Sequence, residues 1–437
     1  MSRRWGGLFW HRDFRLLWFG ETVSATGNSM AILLVPLLAV TVLHATAFQV
    51  TALAAAGSVP WFVIGLPAGA WVDRWPARTV MIGCDLGSAA LFMSLPAAAW
   101  LGVLTIGQLA AVALLAGVAG VFFATAYQVY LPSLVPPGDL VEGNAKLQGS
   151  AQAALITGRG LAGVAAAAVG AATALLYNAA SFLVSAACLL RIGDRQQPRR
   201  ARRATTIRAD IAAGGRFIIR DPYLRPISLY AAVSNLAYGG YTSLVVLFLV
   251  RAAGLGQATV GVLMAAAGAG GVAGALFARR LGTWLGTARA LLLAALSDAA
   301  GLLLPLTHAG GGEVWYVAGA TTMAAGSIVQ NVLVSAFRQA YCPPDIRGRV
   351  VAGMRFLATG AAPAGALIAG GLATALGVRT ALWLSLGTVA LSGMLLCTPA
   401  MLSARDLPMA PAPDSASDTT EPDAGFRQAA PGGRRQV

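Results

Sequence analysis

Apolar residues in this chain come in long blocks, with neither the alternation of a half-buried strand nor the single stripe of a surface helix. Twelve blocks stand out, at 15–42, 48–72, 79–101, 108–131, 145–168, 170–192, 226–250, 257–278, 287–307, 314–337, 350–372 and 376–400. Each approaches or exceeds the roughly 20 residues that an α-helix needs to cross a bilayer. Short polar gaps separate them, so the pattern predicts an all-α membrane protein of twelve spans. The longest internal gap, 193–225, divides the spans six and six. Two halves are therefore expected, 1–192 and 226–402, joined by a basic linker. Residues 403–437 are rich in Pro, Ala, Ser, Asp and Gly and hold few large aliphatic side chains. Such a segment buries too little surface to fold and is expected to be a disordered tail.

Composition agrees: 57% of residues are hydrophobic and 11% charged, against about 25% charged in soluble domains. The net charge is +14, and its placement carries more information than its size. Of the 31 Lys and Arg, 28 fall in alternate gaps, in the two tails or at the span ends that border them. The other gaps hold only Arg251 and Arg379, and Arg159 lies within the fifth span. Lys and Arg in short loops mark the cytoplasmic face, so both termini are expected inside. The one-sided charge points to anionic inner-leaflet lipid as a partner rather than nucleic acid. In the linker, Arg199 to Arg203 precedes an amphipathic stretch near Ile207 to Ile219, which reads either as a surface helix on lipid or as a solvated anchor.

Cys84, Cys188, Cys342 and Cys397 are scattered and form no CxxC, and the three histidines match no ligand spacing. No metal and no cofactor is expected. The chain has no phosphate-binding GxxxxGK[ST], no HExxH and no GxSxG, so neither ATP drive nor enzyme chemistry is indicated. Met1 to Arg15 is basic and aromatic without a small-residue cleavage site, so no cleavable leader is expected.

The two halves echo each other. Span 2 ends Gly69-Ala70-Trp71-Val72-Asp73-Arg74 and span 8 ends Gly274-Ala275-Leu276-Phe277-Ala278-Arg279. Each also carries a small-xxx-small pair, Gly65/Gly69 and Gly270/Gly274. Such pairs let helices approach closely in lipid. Their matching positions suggest a duplicated six-helix unit.

Six plus six spans, a long basic middle loop and Gly69-x-x-x-Asp73-Arg74-x-x-x-Arg78 together resemble the major facilitator superfamily. The signature loop of that family continues Asp-Arg-x-Gly-Arg, whereas this chain has Trp75-Pro76-Ala77-Arg78. Phe14-Arg15-Leu16-Leu17-Trp18, Gly65-Leu66-Pro67-Ala68-Gly69, Tyr130-Leu131-Pro132-Ser133-Leu134 and Ser181-Phe182-Leu183-Val184-Ser185 look like bacterial drug exporters of the macrolide-efflux and siderophore-exporter type. The resemblance implies a monomeric drug:proton antiporter of the plasma membrane, working by alternating access. It implies that helices 1, 4, 7 and 10 line a central cavity. It also implies that Gly69, Asp73, Arg74 and Arg78 form a gating loop that latches the halves.

Within the spans, ionisable groups are functional candidates because a charge in hydrocarbon is costly. Glu21 lies about 10 Å along span 1, in the polar run Gly20-Glu21-Thr22-Val23-Ser24 to Asn28. It is the first choice for a proton-coupling group. Arg159 stands in Gly158-Arg159-Gly160-Leu161-Ala162-Gly163, where the resemblance leads one to expect Gly-Pro-x-x-Gly. It needs a partner or an anionic ligand, and a pair with Glu21 is disfavoured by their difference in depth. Asn28, Asn235, Tyr238, Tyr241, Gln330 and Asn331 are the remaining substrate-contact candidates. Asp85 and Asp298 belong to spans 3 and 9, outside the expected cavity, and read as structural. The functional expectation is export of a hydrophobic or amphiphilic small molecule, such as an antibiotic or natural product. Alternatives are a siderophore exporter, an importer or facilitator of a polar metabolite, or, in a different class, a membrane scaffold or intramembrane enzyme.

Overall fold

A computed structural model of the chain describes residues 7–65, 67–72, 74–193, 217–342 and 344–408. Asp73, the Arg199 to Arg203 cluster and the tail beyond 408 lie outside the described residues, as does the amphipathic stretch before Phe217. Among the described residues there is no strand, and twelve long helices occupy the predicted places. They are α1 (Arg12–Thr41), α2 (Ala47–Val63), α3 (Ala77–Trp100), α4 (Ile106–Leu134), α5 (Leu140–Val169), α6 (Ala171–Arg191), α7 (Leu224–Leu247), α8 (Gln257–Leu285), α9 (Thr287–Leu296), α10 (Glu313–Tyr341), α11 (Pro344–Leu376) and α12 (Val378–Ser392). Ten are long and apolar enough to cross a membrane once the helical turns that extend α7, α9 and α12 are included. The other two places are taken by shorter apolar helices, α2 and the Gly360–Leu376 part of α11.

Helix ends follow local chemistry. Thr46 caps α2, its hydroxyl accepting from the Gln49 N–H while the Gln49 side chain accepts from the Thr46 N–H. Asp221 caps α7 by accepting from the N–H groups of Tyr223 and Leu224.

Two spans differ from the sequence pattern. The second does not run unbroken to residue 72: α2 stops at Val63, and helix resumes only over Ala68–Val72. Pro67 is the reason, since its ring would clash with the Val63 carbonyl four residues earlier. The Gly65/Gly69 pair therefore lies beyond α2, and a side chain at Gly69 would meet nothing within 4 Å. Its counterpart does pack: Gly270 and Gly274 set α8 directly against the α10 backbone at Thr321 and Ala325. The ninth span is α-helical only to Leu296 and continues as 3-10 helix over Ser297–Leu306.

The duplication is visible in packing. α1 packs on α5 and α6, and α7 on α11 and α12; α3 packs on α4 and α6, and the ninth span, α9 with its 3-10 continuation, on α10 and α12. Gly170, between α5 and α6, has φ 83° and ψ 151°, and Gly377, between α11 and α12, has φ 87° and ψ 154°. That region of backbone space is essentially confined to glycine, so the same sharp connection closes both halves; Gly286, between α8 and α9, takes it a third time at φ 90° and ψ 153°.

Among the described residues the core has three parts. One large apolar cluster joins both halves at the arginine-poor end, with Leu33, Leu37, Leu244, Phe248 and Leu386 among its members. At the basic end each half keeps its own cluster, around Phe14, Met81 and Leu134 in one and Leu291, Phe337 and Tyr341 in the other. Ile218, from the predicted amphipathic stretch, is buried in the second of these.

Candidate functional site

In the first half, Glu21 sits on α1 beside Gly20, whose lack of a side chain seats α1 on Ser185 and Cys188 of α6. This turns Glu21 towards Asp85 of α3 and Tyr127 of α4, close enough for the charges to interact. Asp85, 1% exposed, is hydrogen-bonded by Ser185. Oε1 of Glu21 and Oδ2 of Asp85 are buried and have no hydrogen-bond partner. Glu21 and Asp85 are thus two carboxyls within electrostatic reach of each other inside the spans, where a charge is costly. The sequence pointed to Glu21 and left Asp85 aside, because 64 positions separate them and only the fold brings them together.

The second half carries Asp298 at the start of the 3-10 segment, 3% exposed. Its Oδ2 lies 2.7 Å from the Tyr230 hydroxyl of α7 and 3.3 Å from Gln330 Nε2 of α10. Gln330 also donates to the Ala294 carbonyl at 2.8 Å, and its Oε1 lies 2.5 Å from the Tyr230 hydroxyl. Gln330 is thus hydrogen-bonded to three groups of the second half.

Arg159 lies where the halves meet. A side chain at Gly158 would fall 2.6 Å from Ser29 Cβ of α1, and one at Gly163 would fall 2.6 Å from Gly261 Cα of α8. The glycines around Arg159 therefore wedge α5 between α1 and α8 and hold the guanidinium at the seam. Its charge is felt by Tyr238 and Tyr241 of α7 and Tyr316 of α10. The Tyr238 and Tyr241 rings are 5.4 Å apart, and the Tyr241 and Tyr316 hydroxyls hydrogen-bond to each other. Arg159 Nε is buried with no hydrogen-bond partner, and no ion pair with Glu21 forms. A half-buried cation within electrostatic reach of three tyrosines can take an anionic or aromatic ligand. Tyr316 was missed from sequence; as a tyrosine three residues inside α10, one of the helices expected at the cavity, it carried a signal that was available.

The sequence matches the Major Facilitator Superfamily over residues 17–363. The chain belongs to that superfamily. It is 28% identical over 415 residues to the multidrug efflux pump Tap of Mycolicibacterium fortuitum, covering 91% of this chain and 98% of that protein. In fold it is similar to the nucleoside transporter NupG, with a TM-score of 0.73 at 14% identity, covering 90% of this chain and 99% of the other. It is also similar to a bacterial homologue of the iron transporter ferroportin in its inward-facing state, with a TM-score of 0.71 at 17% identity, covering 90% and 99%. The protein is a multi-pass membrane transporter of the facilitator type and not an enzyme.

The other expected positions of this facilitator are more dispersed. Asn28, Tyr238 and Asn331 are exposed, while Asn235 is half-buried. Asn235 and Asn331 both donate to their own helices, to the carbonyls of Ala231 and Ser327. In the gating loop, Gly69 is half-buried and Arg74 exposed. Arg78 donates to the carbonyls of Leu189 and Leu190, both at 2.8 Å, closing the end of α6 within its own half. A further open cleft of about 420 Å³ lies between α1 and α5, lined in part by Trp18, Thr22, Thr26, Lys146 and Thr157.

Arg251 and Arg379, the two arginines that broke the charge pattern, both bind backbone. Arg251 reaches from the second half to the first, donating to Ala45 O at 2.8 Å and Val40 O at 3.1 Å beside the end of α1. Arg379 stays in its own half, with its guanidinium 5.5 Å from the Phe248 ring centroid.

Proposed function

We propose that this facilitator exports a hydrophobic or amphiphilic small molecule in exchange for protons, by alternating access. The observation that carries the reading is the division of the core, shared at the arginine-poor end and separate at the basic end. With the basic end read as facing the cytoplasm, this division supports the reading of a state open to the inside, ready to accept substrate from the cell or inner leaflet. Tyr238, Tyr241 and Tyr316 offer aromatic surface and Arg159 a charge, a combination suited to flat, amphiphilic or anionic compounds. Glu21, facing Asp85, is the group that exchanges the proton. The resemblance to Tap supports export. Anionic lipid at the basic face and a monomeric state complete the reading.

The test is a susceptibility and accumulation panel in an efflux-deficient bacterial host, with and without a protonophore. Expression is expected to lower the accumulation of amphiphilic drugs, and the protonophore is expected to restore it. Equal accumulation with and without the transporter across the panel would reject export. Export that survives the protonophore would reject proton exchange.

A further inference from the structure

The hydrogen-bond donors around Asp298 do not balance if its carboxyl is ionised. Gln330 Nε2 faces the Ala294 carbonyl at 2.8 Å, and a carbonyl is only an acceptor. The amide therefore cannot be turned round, and Gln330 Oε1 must be the atom facing Tyr230 at 2.5 Å. That oxygen is also only an acceptor, so the single hydroxyl hydrogen of Tyr230 is committed to it. The Tyr230 oxygen nevertheless lies 2.7 Å from Asp298 Oδ2. One hydrogen shared between two acceptors this close makes two bent, weakened bonds, and Ser234, which also hydrogen-bonds to Tyr230, does not lie between Tyr230 and Asp298 as a further donor. A second hydrogen between Tyr230 and Asp298 straightens both contacts, and the Asp298 carboxyl is the group placed to supply it.

We propose that Asp298 is a second proton-carrying site of this transporter, loaded in the inward-open state and held by Tyr230 of α7 and Gln330 of α10. The carboxyl donates to the Tyr230 oxygen and Tyr230 donates to Gln330 Oε1. When α7 and α10 shift enough to part Tyr230 from Gln330, the tyrosine hydrogen turns to Asp298 Oδ2. The carboxyl hydrogen then leaves to water past half-buried Gln330, and the resulting carboxylate keeps a donor. The titratable neighbour on α7 besides Tyr230 is Tyr238, which lies between Asp298 and Arg159 in electrostatic reach. The buried polar groups on α12, Ser385 and Ser392, are neutral and donate to their own helix. Among the described residues no cation is hydrogen-bonded or ion-paired to Asp298. The use of this proton in transport rests on the antiport reading above, whereas its presence does not.

The test is infrared difference spectroscopy of the purified transporter in lipid nanodiscs at neutral pH. The wild type is expected to show a protonated-carboxyl C=O band that Asp298→Asn abolishes. Tyr230→Phe, which deletes the acceptor of that proton, is expected to shift the band to higher wavenumber. An Asp298→Asn spectrum retaining the whole band, or a band unmoved by Tyr230→Phe, overturns the proposal. If the band behaves as expected while export is indifferent to a protonophore, the antiport reading fails and the proton site stands.

Discussion

The two halves repeat one fold but wire their buried carboxyls in opposite ways. In the first half Glu21 and Asp85 face each other and leave an oxygen each without a hydrogen bond. In the second, Asp298 sits in a hydrogen-bonded set with Tyr230 and Gln330, which reaches on to Ser234 and the Ala294 carbonyl. Duplication copied the helices, their packing order and even the glycine conformation between the last two helices of each half. It did not copy the polar contents. The first site is under-bonded and so responsive to a proton, a ligand or a water. The second is saturated and yields its proton only when helices move.

The sharpest way to break this contrast is Glu21→Gln. It should abolish proton-coupled export while leaving expression intact, measured as drug accumulation in the efflux-deficient host. Unchanged resistance would remove Glu21 from the coupling step. Next in size is the pair Asp298→Leu and Asp298→Asn. Leu removes the donor to the buried Tyr230 oxygen and should cost about 1–3 kcal/mol, whereas Asn reproduces a neutral donor and should melt close to wild type. Equal losses in thermal denaturation would mean that the set is not built around a protonated carboxyl. Arg159→Ala should weaken export of anionic compounds more than neutral ones, and an equal effect on both classes would assign Arg159 to structure. The smallest effect is expected from Arg251→Ala. It removes two partly exposed bonds across the halves, about 1 kcal/mol or less after solvent screening. A cysteine placed at Leu38 should then be labelled faster by a membrane-impermeant maleimide, and an unchanged rate would show that the clasp does not hold that end shut.

Much of the fold was legible in the sequence. Block length gave the twelve helices, the long basic gap gave the halves, and arginine placement separated the two ends. Even the break in the second span was written in Pro67, which acts on the carbonyl of Val63 four residues back. The sites were less legible, because their members meet only through tertiary packing. Glu21 announced itself by being acidic in an apolar run, but Asp85 joins it from another helix. Gln330 was visible only as a substrate-contact candidate on a cavity helix, and its hydrogen bonds to Ala294 and Asp298 depend on how α10 lies against the ninth span. Arg251 was visible as an exception to the charge rule, yet its partners are backbone carbonyls, which leave no mark in side-chain patterns.

The apolar cluster shared by both halves has a bearing on which solutes this transporter moves well. To expose the arginine-poor side, Leu33, Leu37, Leu244 and their neighbours must separate. Every square ångström wetted in doing so costs about 25 cal/mol. A greasy solute in the gap keeps some of that surface dry, and a sugar-like solute of equal size does not. Lipophilicity of the cargo would then act on the rate of the conformational change itself, as a lubricant of the outward step, and not only on the strength of binding. Turnover that tracks binding affinity alone across a series of compounds matched in size would exclude this.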